Sequence, residues 1–197
     1  MNQWIFLRHG ESEANKARVF SGHQDVALTA LGRDQAIAAG IEIRKLLGST
    51  VLSAVWSSDL KRARHTAQLA LSAAQMNCPV QEHAALRERH LGEWQGESID
   101  RLKQSGAREA LATWTGAAPG GESLAQLCAR AVPLLATLHT QGPTLLVGHG
   151  GLIRGLLGLL DDSAKKEIGK RHVPNAVPIV RWIESGRWNQ ILQGLGG

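Results

Sequence analysis

No stretch of this sequence is both long enough and apolar enough to cross a bilayer, only two cysteines occur, and Lys and Arg never form a dense run. The first absence excludes a helical membrane protein and predicts a chain that folds in water. Cys78 and Cys128 can form at most one bridge and show no metal-ligand spacing, so both are read as reduced thiols. A net charge of +5 favours anionic ligands. Without basic runs or basic residues interleaved with aromatics, neither nucleic acid nor a membrane is expected as a partner. The segment Met1 to Leu7 is too short for a secretory signal and lacks its basic head, which predicts a cytoplasmic location. No acidic cluster has the spacing of divalent-cation ligands, so no metal or other cofactor is expected. Repeats, linkers and low-complexity tracts are likewise missing.

What is present is an alternation of elements. Gln3 to Leu7 is an apolar run of strand length that stops at Arg8-His9-Gly10, and Thr144 to Val147 is another that stops at Gly148-His149-Gly150-Gly151. Between them Thr29 can cap a helix through about Leu47, closed by Gly48, and Val51 to Trp56 reads as a strand. Asp59 is expected to open a helix whose Leu60, Ala63, Ala67, Ala70 and Leu71 recur at helical spacing. A short strand near Val80, a polar stretch from Arg87 to Gly96, and a helical region from Ser98 to Trp114 broken at Gly106 follow. Ser123 to His139 is helical, with Pro133 expected to kink it or mark a restart. A helix from about Leu152 to Leu160 and strands near Val177 to Glu184 and Trp188 to Leu192 end the series. This order predicts a three-layer α/β/α fold with a mostly parallel central sheet. One domain over residues 1–197 is expected, with a cap-like insertion near 97–120. If both histidine-ended strands are parallel members of that sheet, His9 and His149 share its carboxyl edge, where such sheets bind ligands.

A neutral imidazole attacks phosphorus well, and the phosphorylated nitrogen leaves well in the next step, so one hard hydrolysis becomes two easier ones. Phosphoryl transfer asks the protein mainly for positioning and for positive charge near the equatorial oxygens. Arg8, adjacent to His9, can supply part of that charge. Taken alone, Arg8-His9-Gly10 is also compatible with an ordinary turn.

The surrounding residues go further. Arg8-His9-Gly10-Glu11-Ser12-Glu13-Ala14-Asn15 and the stretch Ser21 to Gly32 resemble the opening of the histidine phosphatase superfamily, the phosphoglycerate mutase-like group. The resemblance continues in order through Ser57 to Ala67, Leu86-Arg87-Glu88, Gly120-Gly121-Glu122-Ser123-Leu124 and Val147 to Gly151, and it weakens beyond about residue 155. It implies that His9 is the phosphorylated nucleophile, and that Arg8, Arg62, His149 and Asn15 hold phosphoryl oxygens. Ser21 and the Gly22 backbone would line the substrate side. Glu88 would be the general acid that protonates the departing alkoxide and then activates water; Glu93 and Glu97 are its nearby rivals. The cationic side chains would do the work of Mg2+, which implies a metal-free mechanism.

The resemblance also bears on substrate. Glu88-Arg89-His90 followed by Gly92 is similar to the cofactor-dependent phosphoglycerate mutases, but their substrate-binding tyrosine is replaced by Leu91, and the chain has no tyrosine. Paired arginines between Gly96 and Gly120 are also missing. Hydrolysis of phosphate monoesters of small metabolites is therefore expected, in the manner of α-ribazole phosphatases and broad bacterial phosphatases. A mutase and a protein phosphatase acting on phosphohistidine remain as alternatives. A catalytically silent phosphate-binding module is disfavoured because every catalytic position is filled. Trp94, Trp114, Arg18 and Arg171 are candidates for a cap over the leaving group.

Overall fold

Along β1 (Asn2–Arg8) successive side chains point to opposite faces of the sheet, and both faces are buried. Trp4 and Phe6 enter one apolar cluster, Ile5 and Leu7 the other. A strand covered on both sides is expected to be apolar throughout rather than alternating, and β1 is. The computed structural model describes residues 1–103, 106–138 and 141–195. After β1 come α1 (Glu13–Lys16), α2 (Ala30–Leu47), β2 (Ala54–Ser57), α3 (Lys61–Ala73) and β3 (Val80–Glu82). Then follow α4 (Ile99–Lys103), α5 (Ala107–Leu111), α6 (Leu124–Thr137), β4 (Thr144–Gly148), α7 (Gly150–Leu160), α8 (Lys165–Ile168), β5 (Ile179–Ile183) and α9 (Arg187–Leu195).

The five strands form one sheet in the order β3-β2-β4-β1-β5, parallel except for β5. Side chains of α2 and α3 cover one face with Ile5, Leu7, Val55, Leu145 and Val147. Those of α6, α7 and α9 cover the other with Trp4, Phe6 and Leu146. The fold is thus the three-layer, mostly parallel α/β/α arrangement expected for a phosphoglycerate mutase-like chain. Among the described residues no helix is long and apolar enough to cross a membrane.

Local signals account for most element ends. Thr29 Oγ1 accepts the Gly32 N–H at 3.0 Å and starts α2. Ser123 and Gln126 cap α6 reciprocally, each side chain accepting the other's backbone N–H. Pro133 lies inside α6 instead of dividing it; the expected helix end at His139 falls outside the described residues. In the region from Ser98 to Trp114 two short helices, α4 and α5, lie on either side of Gly106, where the break is expected. Two expectations change. Asp59 does not cap α3, which follows Leu60 without a side-chain cap; its carboxylate instead accepts from Arg87 Nε at 2.8 Å. Trp188 to Leu192 lies in helix α9, not in a strand, and Trp188 and Ile191 turn inward from one face of it.

Backbone contact between α2 and α3 is close enough to be tested. A Cβ at Gly40 would stand 2.1 Å from the Ala70 carbonyl oxygen. Gly40→Ala would gain up to about 1 kcal/mol of helix propensity, but the two helices would have to separate, an overpacking cost of about 1–3 kcal/mol or more. We expect net destabilisation, read as a lower urea midpoint with unchanged slope. A raised midpoint would show that the helices part freely.

Candidate active site

Strands β1 and β4 pair in parallel with Arg8 opposite Gly148, so the residues that follow them leave the sheet side by side. The His9 N–H donates to the Gly148 carbonyl at 2.9 Å. The two imidazoles stand edge to face, 5.2 Å between ring centres. His9 Nδ1 donates to the Gly10 carbonyl at 2.7 Å. A carbonyl can only accept, so the proton of the neutral ring is placed on Nδ1 and the lone pair on Nε2. Burial, reinforced by the charges of Arg62 and Arg8, lowers the pKa of His9 well below its ordinary value. His149 is lowered likewise, by burial first and then by Arg62 and its neighbours. It is fully buried, and neither of its ring nitrogens has a partner among the described residues.

Arg62, in the first turn of α3, is brought to the same edge. It is 1% exposed; its Nη1 and Nη2 donate to the carbonyls of Gln24 and Gly22, each at 2.7 Å. Burial pushes its pKa down to about 10, which leaves it charged at neutral pH. Arg8 donates through Nη1 to the Val173 carbonyl at 2.8 Å. Among the described residues neither guanidinium has a carboxylate at hydrogen-bond distance. A cavity of about 280 Å³ opens over them, lined by Arg8, His9, Asn15, Ser21, Gly22, Arg62 and Glu88 together with Phe20, Arg89, Leu91, Ile99, Gly151 and Arg154. Of the residues expected at the site, His149 alone does not line it; it lies against His9 beneath the surface.

Glu88 reaches the cavity from the loop after β3. Its Oε2 accepts the Gly151 N–H at 2.9 Å at the amino end of α7, where a carboxylate is favoured, and Oε1 accepts the Arg89 N–H at 2.8 Å. The side chain of Arg87 turns away to Asp59. Neither Glu93 nor Glu97 lines the cavity, and Glu97 pairs with Arg101. The carbonyl of Glu88 is held by His23 Nε2 at 2.6 Å and Arg130 Nη2 at 3.2 Å. Arg130 also pairs with Glu122, which accepts the His90 N–H at 2.8 Å. Burial alone would raise the Glu122 carboxyl, but the Arg130 and His90 hydrogen bonds hold it below its usual range. Sequence reasoning singled out Glu122 and His23 only as parts of motifs, without a role, and missed Arg130 and Asn175. The Asn175 amide donates to the His9 carbonyl at 2.8 Å. Nothing local marks their hold on the Glu88 and His9 carbonyls, because those contacts span 42 to 166 residues. Arg18 and Arg171 line a neighbouring cavity, whereas Trp114 is buried in the core and Trp94 lines neither.

Both buried rings bind a proton less readily in the folded chain than in the unfolded one. Below about pH 6.5 the unfolded state therefore takes up more protons, and stability falls as pH is lowered. The slope is at most about 1.4 kcal/mol per pH unit for each ring. Urea unfolding at pH 7 and pH 5 should show the loss, and His149→Gln should lose less over the same interval. An equal loss in the variant would mean that His149 does not stay neutral.

The histidine phosphatase superfamily (branch 1) family model matches residues 4–193. The chain is 34% identical to a 2,3-bisphosphoglycerate-dependent phosphoglycerate mutase of Afipia carboxidovorans, over 89% of each chain. A mycobacterial glucosyl-3-phosphoglycerate phosphatase solved with vanadate is 32% identical, with TM-score 0.81 over 92% of this chain and 93% of that one. A putative α-ribazole-5'-phosphate phosphatase from Escherichia coli is 27% identical, with TM-score 0.76 over 94% and 92%. Two histidines in register at one sheet edge, with buried arginines beside them, are thus the local expression of a likeness that spans nearly the whole sequence, and the chain belongs to the histidine phosphatase superfamily, branch 1.

Proposed function

We propose that this protein is a phosphatase that hydrolyses phosphate monoesters of small metabolites through a phosphohistidine at His9, with no metal or other cofactor. The observation that carries the proposal is the Nδ1–H bond from His9 to the Gly10 carbonyl at 2.7 Å in a buried, neutral ring. It directs the Nε2 lone pair away from the backbone in the turn beneath a cavity where Arg8 and Arg62 supply positive charge. In the first step Nε2 attacks phosphorus and the ester oxygen departs, protonated by Glu88. In the second, water attacks the phosphohistidine and Glu88 takes its proton. Arg8, Arg62 and Asn15 hold phosphoryl oxygens; Ser21 and the Gly22 backbone flank them. A phosphoryl oxygen seated against His9 would give His149 a partner for one ring nitrogen. Residues 97–120 act as a cap within a single domain, since Ile99 lines the cavity and Asp100 pairs with Arg18 at 2.6 Å.

A second reading, a cofactor-dependent phosphoglycerate mutase, is favoured by the names of the curated relatives. Against it, Leu91 is an apolar residue in the cavity wall where the mutases place a tyrosine. Action on phosphohistidine in proteins is a less favoured alternative, because the site is a recessed pocket and not a shallow face.

Glu88→Gln should slow alkyl phosphates by about 100-fold or more, because an alkoxide leaves badly without an acid. p-Nitrophenolate leaves unaided, so phosphorylation of His9 by the aryl ester should suffer less. Dephosphorylation then limits turnover, and a burst of nitrophenol with acid-labile phosphate on His9 is expected. Equal losses in the phosphorylation step for both ester types, or full activity in His9→Ala, would remove the assigned roles.

With 3-phosphoglycerate and the bisphosphorylated primer, phosphate release should far outrun isomer formation, and EDTA should leave the rate unchanged. Efficient isomerisation would favour the mutase; an absolute need for Mg2+ would defeat the cofactor-free mechanism.

A further inference from the structure

The loop that leads from α8 into β5 adds no residue to the wall of the cavity over His9, yet it is pinned to the end of β1. Ala176 donates its N–H to the Arg8 carbonyl at 2.9 Å, and the Val173 carbonyl accepts from Arg8 Nη1 at 2.8 Å. Between these two anchors Asn175 uses both hydrogens of its amide. Its Nδ2 donates to the His9 carbonyl at 2.8 Å and to Asn15 Oδ1 at 3.4 Å. Asn15 Oδ1 also accepts the Ser12 N–H at 3.1 Å, so both of its lone pairs are taken. The Ser12 N–H can only donate and the His9 carbonyl can only accept, which gives the row Ser12, Asn15, Asn175, His9 a single polarity. Turning the Asn15 amide over would set donor against donor, and turning Asn175 would set oxygen against oxygen. The Asn15 Nδ2 is the part of that amide left over. It has no partner among the described residues, and Asn15 lines the cavity with Arg8, His9 and Arg62.

We propose that Asn175 is a positioning residue for phosphoryl binding: it fixes the Asn15 amide with Nδ2, and not Oδ1, turned to the phosphoryl group. This deepens the phosphatase reading and rests on it. An amide free to turn presents an anion with its oxygen as readily as with its N–H groups, and the oxygen repels; an amide locked in one orientation meets the anion with donors already in place. Arg8 and Arg62 attract a phosphoryl group by charge, whereas the locked amide adds direction. Because the row ends on the carbonyl of His9, that donor is placed relative to the residue assigned as nucleophile.

The test is a double-mutant cycle of Asn175→Asp with Asn15→Ala, read by calorimetric binding of inorganic phosphate and by KM and kcat on p-nitrophenyl phosphate. The carboxylate keeps the size of the amide but only accepts, so it repels the His9 carbonyl and Asn15 Oδ1 and draws Asn15 Nδ2 away from the cavity. It also adds a negative charge, which weakens phosphate whether or not Asn15 is present, and the cycle subtracts that part. Asn175→Asp should weaken phosphate about tenfold more with Asn15 in place than in Asn15→Ala. Asn175→Ala adds no charge and should show a coupling of the same sign but smaller, since Ser12 still holds Oδ1. On the ester the coupled loss should fall mainly on KM, because the donor meets phosphoryl oxygens in the ground state as well as in the transition state. Equal losses in both backgrounds, or losses confined to kcat, overturn the positioning role. Turnover without coupling removes Asn175 and leaves the phosphatase; coupling in phosphate binding without turnover of any ester counts against the phosphatase and leaves Asn175 its role. A wild type that neither binds phosphate nor turns over the ester refutes both.

Discussion

The register between β1 and β4 is the constraint on which the site depends. Arg8 lies opposite Gly148, so both turns leave the sheet at the same height and two imidazoles meet within 5.2 Å. A slip of one residue would exchange the two faces of β1. In most sheets polarity forbids such a slip, but here both faces are apolar. Size decides instead: Trp4 and Phe6 fill the wider layer, where Trp4 meets Trp188 edge to face at 5.7 Å, while Ile5 and Leu7 meet the small residues of α2 and α3. The core thus fixes the catalytic edge by shape.

Charge at that edge is kept available by the choice of partners. Arg8, Arg62, Arg89 and Arg154 donate to carbonyls of Val173, Gly22, Gln24, Leu111 and Arg171. Carboxylates would have oriented the same side chains and cancelled them. The nearby histidines are kept neutral by their own burial first, and then by the charges of Arg62 and Arg8. A neutral imidazole is what nucleophilic attack needs, so the cations proposed to receive a phosphoryl dianion also help to keep the proposed nucleophile, His9, unprotonated. Among the described residues Glu88 is the one carboxylate in the cavity wall, placed by two backbone N–H groups instead of an arginine side chain.

Much of this was legible in the sequence because it is written locally. The strands that end at His9 and His149, the Thr29 and Ser123 caps and the small-residue face of α3 all rest on patterns a few residues long. The misread segment is instructive. Trp188, Ile191, Leu192 and Leu195 recur at intervals of three and four, a helical period, but the short apolar run from 188 to 192 imitates a strand. Asp59 looked like a helix cap and is an ion-pair partner for Arg87, 28 residues on. The reversed direction of β5, the hold of Arg130 on the Glu88 loop and the convergence of Arg89 with Arg154 leave no local trace, since each exists only after distant segments pack.

The glycines after His149 join the two kinds of information. Neither Gly150 nor Gly151 has the positive φ that would require glycine on conformational grounds. Their role is the space they leave. A Cβ at Gly151 would stand 2.2 Å from Glu88 Oε1, and one at Gly150 would stand 3.5 Å from Arg8 Nε. Gly151 therefore admits no side chain while Glu88 accepts its N–H, whereas a Cβ at Gly150 would make ordinary van der Waals contact with the Arg8 guanidinium. The motif around His149 is, in the fold, the shared wall against which three segments place a histidine, a carboxylate and a guanidinium. A side chain at Gly151 would leave β1 and β4 in register and still displace Glu88.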